Sequence, residues 1–433
     1  MKILLTAALA ATLVSPAGAV PWHTFGPRAM GMGGAHVAVA QGPTASYWNP
    51  AGLGQLYNSS GFEVPFGARG EFTGTVLEGA KDLNEINSAC AAGNAAVCNT
   101  GRATSALNKI NNAGSGVMLD AGVGMNLKIK RVVVFVNNLT YVGGTPRVDY
   151  TLGANGAANM VSVNQSRIIV RGLNATEIGV GYGREILETG LTVGANLKGI
   201  VGRAGYQEIT VSTETSGFGK FNDNIKTSFQ PAVDLGLLWD MRETFPSLPG
   251  RPRLGFVGRN INNPGFKNPD RAVTRGERSK FPLNGQGRMG LALSPFKFWH
   301  LAMDVDLTNN LTPVDGYTSR YMSAGTEVNI FNRPWLNIPL RVGLQKNLAD
   351  TASGLSYTGG FGFNFVRVHV DVAGMVSSRS TPVQSETKTE RVPNNFGAAA
   401  RLAVLFGGED DGAGRDVRPS RPAPKPVKRK IKK

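Results

Sequence analysis

Segments in which apolar and polar residues alternate with a period of two dominate the chain. The alternation is regular in VMLDAGVGMNLK (117–128), WHLAMDVDL (299–307) and VRVHVDV (366–372). Successive side chains of a β-strand point to opposite faces, so each segment predicts a strand with one apolar and one polar face. Most of the chain from 60 to 406 has this character, with turn-rich segments between the predicted strands.

Two all-β architectures fit this alternation. A soluble sandwich or barrel buries the apolar face, whereas a transmembrane barrel turns it toward lipid and keeps the polar face inside. Aromatic residues lie at predicted strand ends, as Trp299, Trp335 and Phe406 do, where an interfacial girdle is expected. Glycines recur on the second face, as a crowded lumen requires: Gly122, Gly124, Gly179, Gly181, Gly360 and Gly362. The transmembrane barrel is therefore favoured.

Fourteen candidate strands begin near residues 60, 116, 131, 167, 189, 228, 253, 286, 298, 318, 335, 355, 366 and 395. Their connections alternate between long and short, and short periplasmic turns with long outer loops are typical of bacterial outer-membrane barrels. We predict an all-β fold, an antiparallel transmembrane β-barrel of about fourteen strands over 60–406. The third strand is apolar on both faces from Val132 to Val136, so twelve and sixteen strands stay as alternatives.

The beginning of the chain has the features of an export signal. Lys2 precedes an apolar run from Ile3 to Val14, which is followed by the small residues Ala17 to Ala19. This order is typical of a secretory signal peptide, and the run is too short to span a bilayer. We predict that residues 1–19 are a signal peptide and that the mature protein is located in the bacterial outer membrane. A short membrane anchor is the alternative.

The first long connection, 73–115, is compatible with helices because apolar residues recur in it at helical spacing. It predicts a small helical insert on the outer rim, with an ordinary variable loop as the alternative. Cys90 and Cys98 lie in this connection, in a protein expected outside the cytoplasm, where disulfides persist. A local disulfide is the favoured interpretation, and no metal site is predicted there because no histidine is near.

A glycine-rich segment, FGPRAMGMGGAHVAVAQGPTASYWNPAGLGQL (25–56), lies between the signal and the first strand. Its glycines do not have the spacing of a dinucleotide or phosphate-binding loop, and no strand precedes them. Gly31, Gly33 and Gly34 allow tight backbone packing. Pro50 keeps Asn49 extended, and the asparagine side chain can hold a turn at the Asn49-Pro50-Ala51 sequence.

This segment resembles the N-terminal region of the FadL-like outer-membrane proteins, whose motif reads roughly R-x-M-G-M-G-G-A…A…N-P-A-G-L. The matching residues are Arg28, Met30, Gly31, Met32, Gly33, Gly34, Ala35, Val37, Ala38, Val39, Ala40, Tyr47, Trp48, Asn49, Pro50, Ala51, Gly52 and Leu53. The helical insert and the segment from 327 to 365 look closest to the members labelled TraF, for conjugal transfer. The resemblance extends over nearly the whole mature chain, although only the N-terminal motif is specific.

The resemblance implies a fourteen-stranded barrel in which residues 20–59 fold inside the lumen as a hatch. It also implies passive transport of hydrophobic small molecules, with a lateral exit through an interrupted strand. We place that opening at Asn137 and Asn138, which break the apolar run of the third strand. The alternative function is a structural or interaction barrel of a conjugation or secretion apparatus, similar to the TraF-labelled or PorV-like members.

Charged residues are expected on the inward faces of the strands, where burying them unpaired is costly. They are Glu63, Arg69, Glu71, Asp120, Lys198, Glu327, Arg341 and Arg401. One interpretation is a network that pairs these charges with one another or with the hatch backbone. The other is that they only solvate an open lumen.

No catalytic constellation, cofactor site or metal site is predicted, so the protein is not expected to be an enzyme. The four histidines, His23, His36, His300 and His369, are scattered along the chain. His300 with Asp304 and Asp306, and His369 with Asp371, are interpreted as polar neighbours on strands rather than as metal ligands.

The net charge of +16 suggests nucleic acid at first, but its distribution argues against it. Residues 407–433 hold nine Lys/Arg and four Asp/Glu, which gives +5, and their Pro and Gly content predicts disorder. We predict a basic periplasmic tail that binds cell wall or envelope proteins, with a merely solvated tail as the alternative. The expected partners are thus outer-membrane lipid, hydrophobic small molecules and envelope components, and not nucleic acid.

Overall fold

A computed structural model describes residues 20–22, 25–55, 60–151, 165–187, 189–210, 224–333, 335–351, 353–384 and 389–406. The predicted signal peptide (1–19), His23 and the predicted tail (407–433) lie outside these ranges.

Twenty β-strands occur in the described ranges. They are β1 (Ser60–Thr73), β2 (Gly116–Ile129), β3 (Val132–Arg147), β4 (Arg167–Ile186), β5 (Leu191–Thr210), β6 (Ile225–Asp240), β7 (Arg253–Arg259), β8 (Gly265–Lys267), β9 (Lys280–Pro282), β10 (Gln286–Phe296), β11 (Trp299–Asp306), β12 (Asn310–Leu311), β13 (Thr318–Ser319), β14 (Tyr321–Arg333), β15 (Leu336–Asn347), β16 (Ser356–Phe365), β17 (Val368–Ser377), β18 (Ser380–Gln384), β19 (Thr389–Pro393) and β20 (Asn395–Phe406).

The helices of the described ranges are short, apart from two between β1 and β2. They are α1 (Pro27–Gly31), α2 (Ala45–Trp48), a 3₁₀ turn (Pro50–Gly54), α3 (Val76–Ala91), α4 (Thr100–Ile110), α5 (Met241–Thr244) and α6 (Asp270–Thr274). None of the helices that the structure describes is both long and apolar enough to cross a membrane.

Fourteen of the described strands form one closed antiparallel barrel. Its order is β1-β2-β3-β4-β5-β6-β7-β10-β11-β14-β15-β16-β17-β20, and β20 pairs with β1 to close it. The six other strands form two-stranded hairpins, β8–β9, β12–β13 and β18–β19, within the longer connections. The predicted architecture and the strand count of fourteen are confirmed.

The apolar faces of the barrel strands point outward and the polar faces point inward. On β2, Leu119 is 50% exposed and Met125 54%, whereas Asp120 is 1% exposed and Lys128 is fully buried. A soluble protein would hide the first set and expose the second. The inverted arrangement is that of a barrel whose wall is solvated by lipid, since alternate residues face the bilayer and the lumen.

Aromatic rings cluster at the ends of strands that are joined by short turns. Phe296 stacks on Phe298, with ring centroids 5.5 Å apart, beside the turn between β10 and β11. Trp335 lies between Phe331 and Phe365, at centroid distances of 5.8 and 6.4 Å, at the turn between β14 and β15. These rings form a girdle at the end of the barrel that short turns assign to the periplasm.

The connection between β1 and β2 folds into a helical hairpin, α3 and α4. Its core contains Ile86, Ala103 and Ala106, and a disulfide joins Cys90 to Cys98. Asn99 caps α4, because its side chain accepts a hydrogen bond of 2.9 Å from the backbone of Arg102. A second link joins the helices: Lys109 donates to Asp82 at 2.5 Å, and this bond raises the pKa of the lysine.

The expected lateral opening at Asn137 and Asn138 is wrong. The strand that holds them, β3, pairs without interruption with β2 on one edge and with β4 on the other. Consecutive strand residues point to opposite faces, so Asn137 lies inside the barrel and Asn138 on its outer wall. Asn137 is 1% exposed, and Asn138 donates to Asn174 of β4. The two asparagines place one polar side chain on each face of β3, and its backbone hydrogen bonds to β2 and β4 continue without a break.

Candidate functional site

The lumen holds the N-terminal residues 20–22 and 25–55, which we call the hatch segment. At the outer end of the barrel, the carbonyl of Val20 accepts a hydrogen bond from Gln286, the first residue of β10. At the other end, Gly54 packs against the backbone of Gly183, close to the periplasmic end of β4. Nearly all of the segment is buried. It therefore extends along most of the length of the lumen.

Glycines of the barrel wall let the hatch backbone approach closely. A Cβ atom added to Gly343 of β15 would lie 2.3 Å from the nitrogen of Gly33, and one added to Gly194 of β5 would lie 2.2 Å from the carbonyl of Pro50. No real Cβ atom tolerates such distances, so these strand positions require glycine. The recurrence of glycine on the inward faces thus has a direct cause in the contact with the hatch segment.

The glycines of the predicted motif are held by polar side chains of the wall. The hydroxyl of Thr358 on β16 accepts a hydrogen bond from the nitrogen of Gly33 and donates one to the carbonyl of Gly31, each at 3.0 Å. Gln345 on β15 donates to the carbonyl of Gly33 at 3.0 Å, and Arg288 reaches the carbonyl of Gly34 at 3.5 Å. Because these three residues are glycines and have no side chain, the polar side chains of the wall can reach their backbone.

The Asn49-Pro50-Ala51 part of the motif makes a local turn and a link to the wall. The Oδ1 atom of Asn49 accepts from the nitrogen of Ala51 at 3.1 Å and so caps the 3₁₀ turn. Its Nδ2 atom donates to the carbonyls of Val37 and Leu237, at 3.2 and 3.1 Å. Asn49 is fully buried. One amide therefore joins two parts of the hatch segment to β6.

A chain of alternating charges connects the hatch segment to five strands. Arg28 of the hatch pairs with Glu327 of β14 at 3.0 Å, and Glu327 also pairs with Arg341 of β15 at 2.6 Å. Arg341 continues to Asp371 of β17 at 2.7 Å, and Asp371 to Arg401 of β20 at 2.5 Å.

Arg401 ends this chain at Glu63 of β1, at 3.4 Å, and Glu63 in turn accepts from the hydroxyl of Thr44 in the hatch. Three arginines and three carboxylates balance, and all six are buried or nearly so. We call these six residues the charge relay.

A second buried group lies on the other side of the lumen. Lys198 of β5 pairs with Glu177 of β4 at 3.1 Å and with Asp234 of β6 at 3.0 Å, and Arg259 of β7 also pairs with Glu177 at 3.2 Å. Arg69 of β1 forms an ion pair of 2.8 Å with Asp120, its cross-strand neighbour on β2. Glu71, another charged residue that was expected inside the barrel, accepts a hydrogen bond of 2.6 Å from the Tyr317 hydroxyl. The structure thus pairs the inward charges rather than leaving them solvated.

Three aromatic residues of the hatch segment stack on arginines of the wall. The guanidinium of Arg259 lies 4.0 Å from the centre of the Tyr47 ring, and that of Arg288 lies 4.6 Å from the Trp22 ring. Trp22 and Trp48 stack on each other, with centroids 6.3 Å apart. Desolvated contacts of this kind contribute about 2 kcal/mol or more each. Sequence reasoning missed this cluster, because its arginines lie more than 200 positions from its aromatic residues.

The lumen-face histidine and aspartates do not form a metal site. Asp304 accepts from the backbone nitrogens of His36 and Val37, at 2.7 and 2.9 Å, and so fixes the hatch segment. Asp306 pairs with Arg288 at 2.6 Å, and His300 contacts the hydroxyl of Ser294 at 2.8 Å. Within the described ranges, no group of three metal-ligating side chains occurs.

A cavity of about 280 Å³ lies at the outer end of the lumen, between the start of the hatch segment and the outer loops. We call it the outer chamber. Apolar and aromatic residues line it, among them Val20, Tyr206, Phe281 and Val314, together with the charged residues Arg171, Glu277, Arg278, Lys280 and Asp315. Arg171 pairs with Asp315 at 2.9 Å. The hatch segment lies directly below this chamber.

A closed barrel with an apolar outer wall, a polar lumen and an N-terminal segment folded inside it has the architecture of a transmembrane β-barrel. The chain belongs to the family described as "F plasmid transfer operon, TraF, protein", whose model matches residues 46–306. The match begins in the hatch segment and ends with β11. The sequence resemblance to the TraF-labelled members is thereby confirmed.

Several solved structures are similar to the chain at low sequence identity. The toluene transporter TbuX of Ralstonia pickettii has a TM-score of 0.50 and 13% identity, over 89% of this chain and 99% of TbuX. The toluene transporter TodX of Pseudomonas putida scores 0.45 with 12% identity, over 92% and 100% of the two chains. A FadL homologue of Pseudomonas aeruginosa scores 0.43 with 9% identity, over 90% and 99%. The likeness to TbuX shows that the two chains share a fold. No curated protein matches the chain.

Proposed function

We propose that the protein is a passive route for hydrophobic small molecules across the outer membrane. The observation that carries this proposal is the outer chamber of about 280 Å³, which ends on the hatch segment and presents an apolar surface that includes Val20, Phe281 and Val314. An apolar surface in a concave chamber is the kind of site that binds apolar small molecules, with a few polar groups at its edge. TbuX, which shares the fold, is named a toluene transporter, and this supports the same class of cargo.

The ion pairs of the charge relay must rearrange before a molecule can pass along this route. An apolar molecule that leaves the outer chamber meets the hatch segment, which Arg28 and Asp304 fix to the wall. The described strands pair all around the barrel, so the route that we propose continues down the lumen to the periplasm. Passage therefore requires a shift of the hatch segment, with exchange of some buried ion pairs for others.

The proposed location and processing complete this assignment. Residues 1–19 direct export and are removed, residues 20–59 form the hatch, and residues 60–406 form the barrel. Residues 407–433 are a basic periplasmic tail that contacts the cell wall or an acidic envelope protein. Because the apolar wall of the barrel faces lipid, the outer membrane is the location that fits all of these parts.

Uptake measurements in cells test the transport proposal. A strain that lacks the protein, the same strain with the protein restored, and one with an irrelevant barrel are given radiolabelled toluene, an alkane and a long-chain fatty acid. Faster accumulation of at least one compound in the restored strain is expected. Equal uptake of all of them, together with equal growth on hydrophobic carbon sources, would reject the proposal.

A structural role in a conjugation or secretion apparatus is the second candidate. It is favoured by one observation, the membership of the chain in a family described by a plasmid transfer operon. Affinity purification from detergent extracts and mating frequency test it. Co-purifying envelope proteins and a loss of plasmid transfer in the deletion strain support it, whereas normal mating with no co-purifying protein argues against it.

We infer no enzymatic role. In the ranges that the structure describes, the buried histidine and aspartates of the lumen bind the hatch or the wall, as Asp304 and His300 do. An esterase assay on the purified protein is expected to give no activity above that of an unrelated barrel.

A further inference from the structure

A small polar cavity lies at the outer end of the barrel, where β1 and β20 meet the outer loops. Its volume is about 20 Å³. A space of this size holds one ion or one water molecule and excludes organic ligands. None of the described residues that line it is a lysine or an arginine. Oxygen-bearing side chains form most of the lining, among them Glu71, Thr73, Tyr317, Tyr321, Asp350 and Asn395. We call it the oxygen cavity.

Glu71 is a buried carboxylate that forms no ion pair with any of the described residues. It is 5% exposed and accepts hydrogen bonds from the hydroxyls of Tyr317, at 2.6 Å, and Tyr321, at 3.4 Å. Arg69 lies two positions earlier on the same face of β1, but it is already paired with Asp120. A buried carboxylate that only neutral groups contact is costly. Glu71 therefore requires a cation or a proton.

Two other oxygens of the cavity are buried and have no hydrogen-bond partner among the described residues. They are Oγ1 of Thr73 and Oδ1 of Asn395, in side chains of residues that are 2% and 7% exposed. Thr73 follows Glu71 on the same face of β1, and Asn395 lies directly opposite Glu71 on β20. The three side chains thus enter one space from neighbouring positions.

The charge and the two unpartnered oxygens together favour a metal ion as the occupant. A water molecule could bond Thr73 and Asn395, but the charge of Glu71 would stay uncompensated. A proton on Glu71 would neutralise the charge, but it could be donated to only one of the two oxygens. A cation in the cavity compensates the carboxylate and accepts all three oxygens as ligands.

The chemistry of the lining identifies the class of ion. Carboxylate, amide and hydroxyl oxygens are the ligands of hard cations, and the two carboxylates of Glu71 and Asp350 match a divalent charge. Ca²⁺ accepts about six to eight oxygens in a flexible geometry, whereas Mg²⁺ keeps several waters, for which this cavity has no room. Neutral oxygens supply most of the ligands. For this reason no group of three acidic, histidine or cysteine side chains marks the site among the described residues.

We propose that the oxygen cavity binds one calcium ion, with Glu71, Thr73 and Asn395 among its ligands. The ion ties the outer end of β1 to the start of β20, the pair of strands that closes the barrel. Through Asp350 it also holds the connection between β15 and β16. Its role is to stabilise the outer rim, and it does not depend on transport through the lumen.

Calcium titration of the full-length protein, purified in detergent and stripped with EGTA, tests this proposal. Glu71→Gln removes the charge, and Thr73→Val removes one neutral oxygen with little change of shape. Glu208→Gln is the matched control. Glu208 also lies near the outer end of a strand and accepts from a tyrosine hydroxyl, that of Tyr206 at 2.8 Å, but it has Arg275 as a cationic partner at 3.7 Å.

Isothermal titration is expected to show one Ca²⁺ per barrel in the wild type and in Glu208→Gln. Saturating calcium is expected to raise the midpoint of their thermal unfolding by about 5 °C. Thr73→Val is expected to weaken calcium binding about tenfold, and Glu71→Gln to abolish both the binding and the thermal shift. Terbium gives a second measurement, because the ring of Tyr317, whose hydroxyl contacts Glu71, sensitises the luminescence of an ion bound there.

Three results would overturn the proposal. Wild-type protein without bound calcium and without a thermal shift assigns the cavity to water, or Glu71 to a proton. Calcium affinity that is unchanged in Glu71→Gln places the ion elsewhere on the protein. A thermal shift of the same size with sodium at the same concentration contradicts a divalent site. Unchanged gel mobility before heating shows that each variant barrel is folded, and if Glu71→Gln does not fold, wild-type affinity in Thr73→Val is sufficient to reject the site.

Discussion

Arg28 of the hatch segment and Glu327 of β14 are joined by two hydrogen bonds of 3.0 Å, although 299 positions separate them in the chain. The Glu327 side chain is fully buried and also accepts from Arg341 at 2.6 Å. One carboxylate thus balances two guanidinium groups, one on the hatch and one on the wall. Removal of one partner from a buried ion pair leaves an uncompensated charge, which is strongly unfavourable.

Glu327→Gln is therefore expected to loosen the hatch segment. The loss of the buried charge costs about 3–5 kcal/mol, and the variant barrel is expected to unfold at a lower temperature in detergent and to conduct ions in planar bilayers. Glu85→Gln is the control, because its exposed pair with Lys81 is worth only about 0.3–0.5 kcal/mol. Wild-type stability and a closed lumen in Glu327→Gln would show that the charge relay does not hold the hatch.

Gly343→Ala tests the close contact between the wall and the hatch. The new methyl group would meet the nitrogen of Gly33 at 2.3 Å, so the hatch backbone must move, at a cost of about 1–3 kcal/mol. Gly359→Ala on the neighbouring β16 is the matched control, because its nearest atom is 3.9 Å away. Thermal unfolding in detergent is expected to show a lower midpoint for the first variant only. Equal midpoints would contradict the packing described for the hatch.

Replacement of both Cys90 and Cys98 by serine is expected to loosen the helical hairpin and leave the barrel intact. The disulfide closes a short loop, with a sequence separation of 8, and such a bond is worth about 2 kcal/mol. Hydrogen exchange is expected to speed up in α3 and α4, while the strands keep their protection. Reduction of the wild-type protein is the second arm and is expected to have the same effect. Unchanged exchange in both arms would assign the stability of the hairpin to its core alone.

The alternation of residues was sufficient to predict the strands and their faces, because a lipid-solvated wall and a polar lumen impose a period of two on every strand. The alternating valines of 366–372 and the outward residues of β2 show this period of two within a single strand. The partner of each inward charge could not be predicted. Glu327 and Arg28 meet only because the barrel closes around the hatch segment.

The error at Asn137 and Asn138 has the same origin. Two consecutive polar residues suggest a break in a strand, but backbone pairing does not depend on the polarity of side chains. The structure turns Asn137 inward and bonds Asn138 to Asn174 of the adjacent strand. Whether a polar residue on an outward face is a gap or a bonded patch depends on its cross-strand neighbours, which a single sequence does not show.

A disulfide between the hatch segment and β1 tests whether transport requires movement of the hatch. A Cβ atom at Gly26 would lie 3.7 Å from the Cβ atom of Pro65, within the range of disulfide bonds. In the double variant Gly26→Cys/Pro65→Cys, uptake of hydrophobic compounds is expected to fall to the level of the deletion strain and to recover on reduction. Gly26 has a φ of 90°, so a side chain there costs about 1–2 kcal/mol. The two single-cysteine variants control for this cost and are expected to transport normally. A double variant that forms the cross-link and still transports at the wild-type rate would show that the cargo bypasses the hatch.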